Sequence, residues 1–363
     1  KTIEKLFVSG KAICKKVDAN YGVASNSATS CLHLACLALG LRKGDYLWTS
    51  PITFAASANC SQYCGANVDF VDIDKETGLI DIDDLQNKLE IAKKEDKLPK
   101  VLIPVHLAGS SCDMEEIGFL SKKYGFKIIE DASHALGGKY KDFPVGSCKF
   151  SSITVFSFHP VKIITTGEGG IATTNDKELA QKMVDLRSHG IIKQDERFLF
   201  ESEGDWYYEQ QMLGFNYRLT DIAAALGISQ ISRLEKIVTE RNALYINYKR
   251  LLSDLPVKLL KIPNNVYSSI HLAVIKINSD NKEMHKYIFK KLRENQIGVQ
   301  LHYYPVHLHP YYRNLGFKKG DFPKSEIYKD KAMSLPLFPG LRYQQQEKVV
   351  DILTNSIRDF DEI

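Results

Sequence analysis

The sequence predicts an α/β protein with a mostly parallel sheet in a large first domain and a smaller α+β domain at the C-terminal end. The chain has 363 residues, 44% of them hydrophobic, which is enough to bury the core of one large and one smaller domain. Over the first two thirds, apolar runs of strand length alternate with segments of helical period. From Leu219 onward the alternation gives way to a long helical stretch, which predicts a bridge between domains 1–235 and 236–363.

The predicted strands of the large domain are short apolar runs, and a helical segment follows most of them. This alternation is typical of a parallel sheet with helices on both faces. The predicted strands are 46–50, 68–74, 101–107, 127–131, 153–159 and 169–174, and the predicted helices are 31–41, 54–65, 82–95, 115–126, 177–190 and 221–252. In the second domain we expect strands at 271–277 and 299–303 and helices at 284–296 and 344–360.

Composition argues against several classes of partner. The chain has 48 Lys and Arg against 44 Asp and Glu, and no run of like charges indicates a nucleic-acid-binding arm. No stretch approaches the ~20 apolar residues of a membrane span, and the opening segment KTIEKLFVSGKAICKK lacks the pattern of a secretory signal. We therefore expect a cytoplasmic protein with no nucleic-acid or membrane partner. The 7 cysteines form no C-x-x-C pair and lie mostly in apolar segments, which favours buried reduced thiols over disulfides or metal ligands.

Polar side chains collect at the ends of two predicted strands. Strand 127–131 ends in Asp131 and is soon followed by His134, while Ser157 lies in strand 153–159 and Lys162 comes just after it. Because ligands in open α/β sheets bind beyond the carboxyl ends of the strands, we expect these groups to share one site. A lone Lys is usually a solvated surface charge and a lone Asp is often a cap, so only the combination indicates a function.

Two further segments add to this combination. The run Asn26–Ser30 places small hydroxyl residues at the start of a helix, where backbone N–H groups suit a phosphate. Phe54 follows the next strand and can offer a flat platform to an aromatic ligand. Taken singly, the run is an ordinary helix start and Phe54 a core residue. An amine, a carboxylate, a phosphate cradle and an aromatic platform together describe what pyridoxal 5'-phosphate (PLP) requires.

With these motifs the sequence resembles the DegT/StrS family of nucleotide-sugar aminotransferases, which are PLP-dependent transferases of fold type I. The most specific signal is SFHPVKIITTGEGG preceded by IIEDASHALGG. Further segments in the family's order are NSATSCLHLA, SPITFAASAN, VDFVDID, IPVHLAG, LRSHG, LGFNYRLTDIAAALGISQ and LPLFPGL.

The resemblance implies a role for each matching residue. Lys162 is the catalytic Schiff-base lysine, and Asp131 is the partner of the pyridine nitrogen. Phe54 stacks on the cofactor ring, and His134 lies near its phenolic oxygen. The implied phosphate contacts are Ala28, Thr29, Ser157 and, reaching over from a neighbouring subunit, Asn216. A homodimer with shared active sites is therefore expected.

The C-terminal stretch from residue 299 to 341 is most similar to family members of pseudaminic acid biosynthesis. These enzymes use L-glutamate to aminate C4 of a UDP-linked 4-keto-6-deoxy-N-acetyl sugar. The substrate contacts expected on this basis are Arg218, His302, Tyr303 and His307, with a packing, surface or interface role as the alternative for each. The histidines of 301–312 lack helical metal-ligand spacing, so no metal site is expected.

Other functions stay open on the sequence. Related sugar aminotransferases of the bacillosamine, legionaminic acid and perosamine types differ mainly in such loops, and a non-enzymatic regulator could keep the same fold. A PLP-dependent lyase or desulfurase would need a reactive Cys late in the chain, whereas the last one is Cys148. The opening segment 1–16 also departs from the family pattern, in which a shorter segment follows an arm that contributes to the dimer.

Overall fold

Residues 13–362 are described by the structure, a computed structural model. Most of the opening segment that departs from the family pattern therefore lies outside the described residues. The strands are β1 Tyr21–Ser25, β2 Tyr46–Thr49, β3 Asn67–Phe70, β4 Val101–Ile103, β5 Lys127–Asp131, β6 Lys139–Tyr140, β7 Phe143–Pro144, β8 Ile153–Ser157, β9 Gly170–Thr174, β10 Ile191–Ile192, β11 Glu209–Gln210, β12 Val257–Leu259, β13 Val266–Tyr267, β14 Ala273–Ile277 and β15 Ala332–Leu335. The α-helices are α1 Ile13–Val17, α2 Ala28–Ala38, α3 Ala56–Tyr63, α4 Ile82–Lys94, α5 Met114–Tyr124, α6 Lys177–Arg187, α7 Asp221–Ile231, α8 Leu234–Leu251, α9 Lys282–Glu294, α10 Pro310–Asn314, α11 Pro323–Lys331 and α12 Tyr343–Asp361.

The central sheet has seven strands in the order β1-β9-β8-β5-β4-β2-β3. Parallel pairing joins β8, β5, β4, β2 and β3, whereas β9 is antiparallel to both of its neighbours. The α/β fold with a mostly parallel sheet is thus confirmed.

Alternate residues along the strands enter different cores, because successive side chains of a strand point to opposite faces. Leu47 and Val155 pack with residues of α2, α3 and α6. Trp48, next to Leu47, packs with residues of α4 and α5. Phe156, next to Val155, packs with residues of α7 and α8. Both faces of the sheet are therefore covered by helices, which leaves the strand ends as the accessible edge.

Many of the helices begin at a short polar side chain that accepts a hydrogen bond from the first turn, as helix starts prefer. Because such a cap fixes where the backbone enters the helix, it also fixes the loop before it. The residues that cap helices in this way are Ser27, Asp81, Asp113, Asp176, Thr220 and Asn281.

The C-terminal part is a three-stranded antiparallel sheet, β12-β14-β15, packed against α9 and α12. The helical stretch predicted at 221–252 is two helices, α7 and α8. Helix α8 joins the two cores, since Leu234 and Val238 pack in the large one and Leu244 and Tyr248 in the C-terminal one. The domain division at 235/236 stays a prediction; it falls near the start of this shared helix.

One predicted strand, 299–303, is wrong. Within it only Gln300 makes a β-bridge, with Ser334, and the neighbour of β14 is β15 instead. The chain leaves the sheet after Gln300 because His302 engages a side chain rather than a ladder, with its Nδ1 at 2.8 Å from Ser334 Oγ.

The cysteines are free thiols, as expected: six are buried and Cys64 is half-buried. Among residues 13–362, no helix combines the length and the apolar character that crossing a bilayer requires.

Candidate active site

The carboxyl ends of β5 and β8 form one edge of the central sheet, and the chemistry-bearing residues meet there. Asp131 is the last residue of β5 and Ser157 the last of β8. Because β9 runs the other way, its first residue, Gly170, lies at the same edge, paired with Ser157. A parallel sheet with one reversed strand thus gathers segments that are far apart in the sequence.

A cavity of about 290 Å³ opens at this edge, close to the size of a small-ligand site. Loops from the large domain form most of its wall, and the segment after Gln300 closes it from the C-terminal side. The sequence-predicted residues that line it are Ala28, Thr29, Phe54, Asp131, His134, Ser157, Lys162, His302 and Tyr303.

Lys162 lies in the loop between β8 and β9, where its backbone N–H donates to the carbonyl of His159 at 2.9 Å. Burial lowers the pKa of its amine to about 8, although the nearby carboxylate of Asp131 acts in the opposite direction. A buried amine with a lowered pKa is available as a nucleophile or base near neutral pH.

Asp131 is buried, with both carboxylate oxygens held by donors. Ser57 Oγ donates to Oδ2 at 2.6 Å, and the backbone N–H of Ser133 donates to Oδ1 at 3.1 Å. Since the Ser57 proton goes to the carboxylate, Thr53 Oγ1, at 2.7 Å, donates to Ser57. These hydroxyls hold the carboxylate in place at the cavity wall, where it could pair with a protonated ring nitrogen.

The start of α2 forms another wall of the cavity. Ser27 caps the helix by accepting from the Ser30 N–H at 3.1 Å, so the N–H groups of the first turn, at Ala28 and Thr29, lie at the positive end of the helix dipole. A methyl group on Gly170 would come within 2.5 Å of the Ala28 nitrogen, so only glycine lets β9 approach the helix this closely.

Aromatic rings form the remaining walls. Phe54 is 62% exposed, unusual for a Phe outside a binding site, and its ring centroid lies 6.2 Å from that of Tyr303. The Tyr303 hydroxyl lies 3.0 Å from His134 Nε2. Burial, with Lys162 adding to it, lowers the pKa of His134 well below its ordinary value and that of His302 to about 4. These two imidazoles therefore add no positive charge beside Lys162 at pH 7.

These residues fit PLP. Four groups lie around one cavity: the amine, the carboxylate, the helix start and the exposed aromatic ring. Each suits a different part of the cofactor. Lys162 would bind the aldehyde carbon, Asp131 the ring nitrogen, and the first turn of α2 with Ser157 the phosphate.

Three predicted residues lie outside this cavity. Asn216 and Arg218 are exposed, in the segment that leads to α7. His307 is fully buried instead: it packs against Phe70 and Phe322, and its Nε2 is 3.2 Å from a carboxylate oxygen of Glu326. With no exposed surface, His307 has a packing role, so we do not include it among the proposed sugar contacts.

Sequence reasoning missed Ser57, the hydroxyl donor to Asp131. It lies in the first turn of α3, within the family-like segment SPITFAASAN. Its place three residues after Phe54 is a signal of proximity, because the two residues are joined by one turn in which the Ser57 N–H donates to the Phe54 carbonyl at 3.2 Å. The partner, 74 positions away, is visible only in the fold.

The lysine and aspartate facing one cavity at the carboxyl edge of this sheet define the class of PLP-dependent transferases. A family model named DegT/DnrJ/EryC1/StrS aminotransferase family matches residues 9–354, and the chain belongs to this family. It is accordingly a PLP-dependent sugar aminotransferase.

Individual relatives agree with this membership. The UDP-4-amino-4,6-dideoxy-N-acetyl-beta-L-altrosamine transaminase of Campylobacter jejuni is 39% identical over 306 residues, which cover 84% of this chain and 77% of that one. Among solved structures, Helicobacter pylori PseC, an aminotransferase involved in the biosynthesis of pseudoaminic acid, has a TM-score of 0.89 at 30% identity, covering 99% of this chain and 92% of that one. The PMP form of Spr1654 from Streptococcus pneumoniae has a TM-score of 0.87 at 28% identity, covering 98% and 91%.

Proposed function

We propose that this enzyme transfers the amino group of L-glutamate to C4 of a UDP-linked 4-keto-6-deoxy-N-acetyl sugar, as in pseudaminic acid biosynthesis. The observation that carries the sugar assignment is the segment after Gln300, which places His302 and Tyr303 in the wall of the cavity. Within the family, the sequence of this segment is most similar to the pseudaminic branch, and the Campylobacter jejuni relative supports the proposal.

Each half of the reaction requires a proton to be removed from one carbon atom and added to another, and the amine of Lys162 is the group in the cavity that we expect to carry it. Bound PLP supplies an electron-withdrawing ring that stabilises negative charge on the carbon of the amino donor. The amine of Lys162, whose pKa burial lowers to about 8, would take the proton from the α-carbon of glutamate and hold it for return within the same site. Asp131 would hold a proton on the ring nitrogen, and Phe54 would support the face of the ring.

The contacts to the sugar nucleotide are assigned to groups at the cavity mouth. His302 is neutral at pH 7, so it can donate or accept a hydrogen bond from a sugar hydroxyl without adding charge beside Lys162. Tyr303 offers both a ring face and a hydroxyl. Arg218, exposed near the cavity, suits the diphosphate of the nucleotide.

A second copy of the chain completes the site in this proposal. Asn216 and Arg218 lie on a stretch that exposes large apolar side chains, as interfaces do. The apolar side chains more than two-thirds exposed in this stretch are Leu199, Phe200, Trp206, Leu213 and Ile222. Asn216 would then contact the phosphate bound by its partner.

The sugar assignment is tested by single turnovers. Purified protein is loaded with PLP, converted to the amino form with L-glutamate, separated from it, and mixed with UDP-linked 4-keto-6-deoxy-N-acetyl sugars of either C5 configuration. We expect amination at C4 of the L-configured sugar, detected by mass spectrometry and NMR, and recovery of the PLP absorption spectrum. Amination of the D-configured sugar alone would keep the aminotransferase and overturn the pathway; Lys162→Ala is the control.

Shared sites are tested by complementation. Lys162→Ala and Asn216→Asp are each expected to be inactive, but a mixed dimer carries one site with both native residues. Unfolding and refolding the two variants together should therefore restore part of the activity. Active sites contained within one chain would leave the mixture as inactive as its components.

A further inference from the structure

His271, in the C-terminal part of the chain, lies directly behind His134. The two ring centroids are 4.4 Å apart, at an interplanar angle of 42°. Both side chains are buried, and the Nδ1 atom of each has no hydrogen-bond partner among the described residues. Two imidazoles buried in contact, each with an unsatisfied nitrogen, are costly to maintain, which points to a role beyond filling space.

The backbone that presents His271 is strained and firmly held. Ile270 has a φ of 50°, a left-handed conformation rare for a β-branched residue. Arg241 Nη1 donates to the carbonyls of Ile270 and His271 at 3.3 and 3.1 Å, and the His271 N–H donates to the carbonyl of Ala108 at 2.8 Å. A methyl group on Gly109 would lie 2.8 Å from the Ile270 nitrogen, so glycine is required for this approach. Strain that the surroundings overcome in this way is typical of functional sites.

His134 is held from three directions, each by a residue that follows position 267. Tyr303 contacts its Nε2 at 3.0 Å, and Ser269 Oγ donates to its carbonyl at 2.8 Å. The ring of His271 covers one face. The large domain thus supplies the histidine, and the C-terminal part fixes its orientation.

The charge state of the pair follows from its surroundings. Burial lowers the pKa of both imidazoles well below the ordinary value, and the nearby amine of Lys162 adds to the effect. Arg241, whose guanidinium donates to the His271 carbonyl, also opposes protonation of His271. Both rings are therefore neutral at pH 7, and their contact is one of ring packing without charge repulsion.

We propose that His271 is a positioning residue for the aminotransferase: its ring fixes the plane of the His134 ring beside the cofactor. The inference depends on the proposed function and on the place of His134 near the cofactor that the family resemblance implies, and it is independent of which sugar is aminated.

The test compares His271→Ala with His271→Phe, which keeps a flat ring. Two readouts apply: the dissociation constant of PLP from absorbance titration, and the His134 ring signal in NMR spectra of cofactor-free protein labelled with ¹⁵N at histidine, assigned with His134→Gln. We expect His271→Ala to move or broaden the His134 signal and to weaken PLP binding on the order of tenfold. His271→Phe should restore most of the affinity.

His285→Ala is the matched control, because His285 is a partly buried histidine of the same region whose Nε2 contacts the carbonyl of Ala332. It should change neither readout. Unchanged His134 signal and PLP affinity in folded His271→Ala would overturn the proposal, as would an equal loss in His285→Ala. If His271→Ala does not fold, His271→Gln gives the same two readouts. Since neither involves a sugar, an error in the sugar assignment would leave them unaffected.

Discussion

Ser57 Oγ donates a hydrogen bond of 2.6 Å to Asp131 Oδ2. The contact joins the first turn of α3 to the end of β5, and it orients the carboxylate proposed to face the cofactor's ring nitrogen. Because Thr53 donates to Ser57 in turn, the carboxylate of Asp131 fixes the orientation of two hydroxyl groups.

Ser57→Ala should weaken PLP binding, since it leaves a buried carboxylate oxygen without a donor. A hydrogen bond to a charged group contributes about 1.5–3 kcal/mol, and we expect a loss of affinity in that range. The measurement is an absorbance titration with PLP. Ser61→Ala, one turn further along α3, removes a buried hydroxyl that donates only to the Ala58 carbonyl, and it should bind PLP normally. Equal affinities for the two variants would contradict the role of Ser57.

Lys162→Met should abolish transamination and also stabilise the cofactor-free protein at pH 7. The amine's pKa is lowered from 10.5 to about 8, so the folded protein binds this proton less tightly than the unfolded chain does. The free-energy penalty for holding the charged amine in the folded protein is fully present below pH 8 and disappears as the pH rises to 10.5. We expect a gain of about 1–3 kcal/mol in the free energy of unfolding at pH 7 that is lost by pH 10.5. Urea denaturation across this range measures it.

Lys236→Met is the control for that experiment, because the Lys236 side chain is 79% exposed. It should show no gain that depends on pH. A gain from Lys162→Met that stayed constant from pH 7 to 10.5 would mean that methionine packs better, and the buried ammonium would not be its cause.

Glu130→Gln should destabilise the large domain. One oxygen of the buried Glu130 carboxylate lies 2.7 Å from His106 Nε2, and the other accepts from Thr154 at 2.9 Å and from Ser151. The Cys112 N–H donates to His106 Nδ1, so Nε2 carries the hydrogen that points to Glu130. An amide cannot accept all of these bonds, and we expect a loss of about 2–4 kcal/mol at pH 7.

The same carboxylate should make stability depend on pH in the acid range. Burial alone would raise the pKa of Glu130, but the contacts with His106, Ser151 and Thr154 outweigh it and lower the pKa below 4.5. The contribution is therefore present above pH 4.5 and lost as the pH falls below it. Below pH 4.5, the free energy of unfolding should fall more steeply for the native enzyme than for Glu130→Gln. Glu347→Gln, on an exposed side chain, should follow the native curve.

Gly170→Ala should weaken the hold on the cofactor's phosphate, because its methyl group would collide with the Ala28 nitrogen and displace the start of α2. Overpacking of this kind costs about 1–3 kcal/mol. We expect PLP affinity to fall, while the affinity for pyridoxal, which has no phosphate, changes less. Gly298→Ala adds a methyl group in open space and serves as the control. Equal losses for both ligands would argue against a phosphate site at this helix start.

Much of the cavity could be predicted because its residues follow strands that the sequence marks clearly. Asp131 and Lys162 come at or just after predicted strand ends, and parallel strands place such ends together. The prediction for His307 differs from the structure because the residue type at a motif position does not indicate whether its side chain points into a cavity or into a core. The segment 299–303 has an apolar pattern typical of a strand, but its backbone bridge is confined to Gln300. After that residue, the Leu301 N–H and the His302 carbonyl bond to side chains.

By itself the sequence determined the α/β class and most of the alternating strands and helices of the large domain, and it indicated the amine, carboxylate and helix start of the candidate cofactor site. These depend on local periodicity and on residue types at strand ends, which the chain carries within short windows. Only the tertiary structure decided that Ser57 donates a hydrogen bond to Asp131, that Gly170 allows the close approach of α2, and that the ring of His271 packs against that of His134. Such contacts join segments far apart in the chain, and they form only when packing brings the sheet edge and the C-terminal part together.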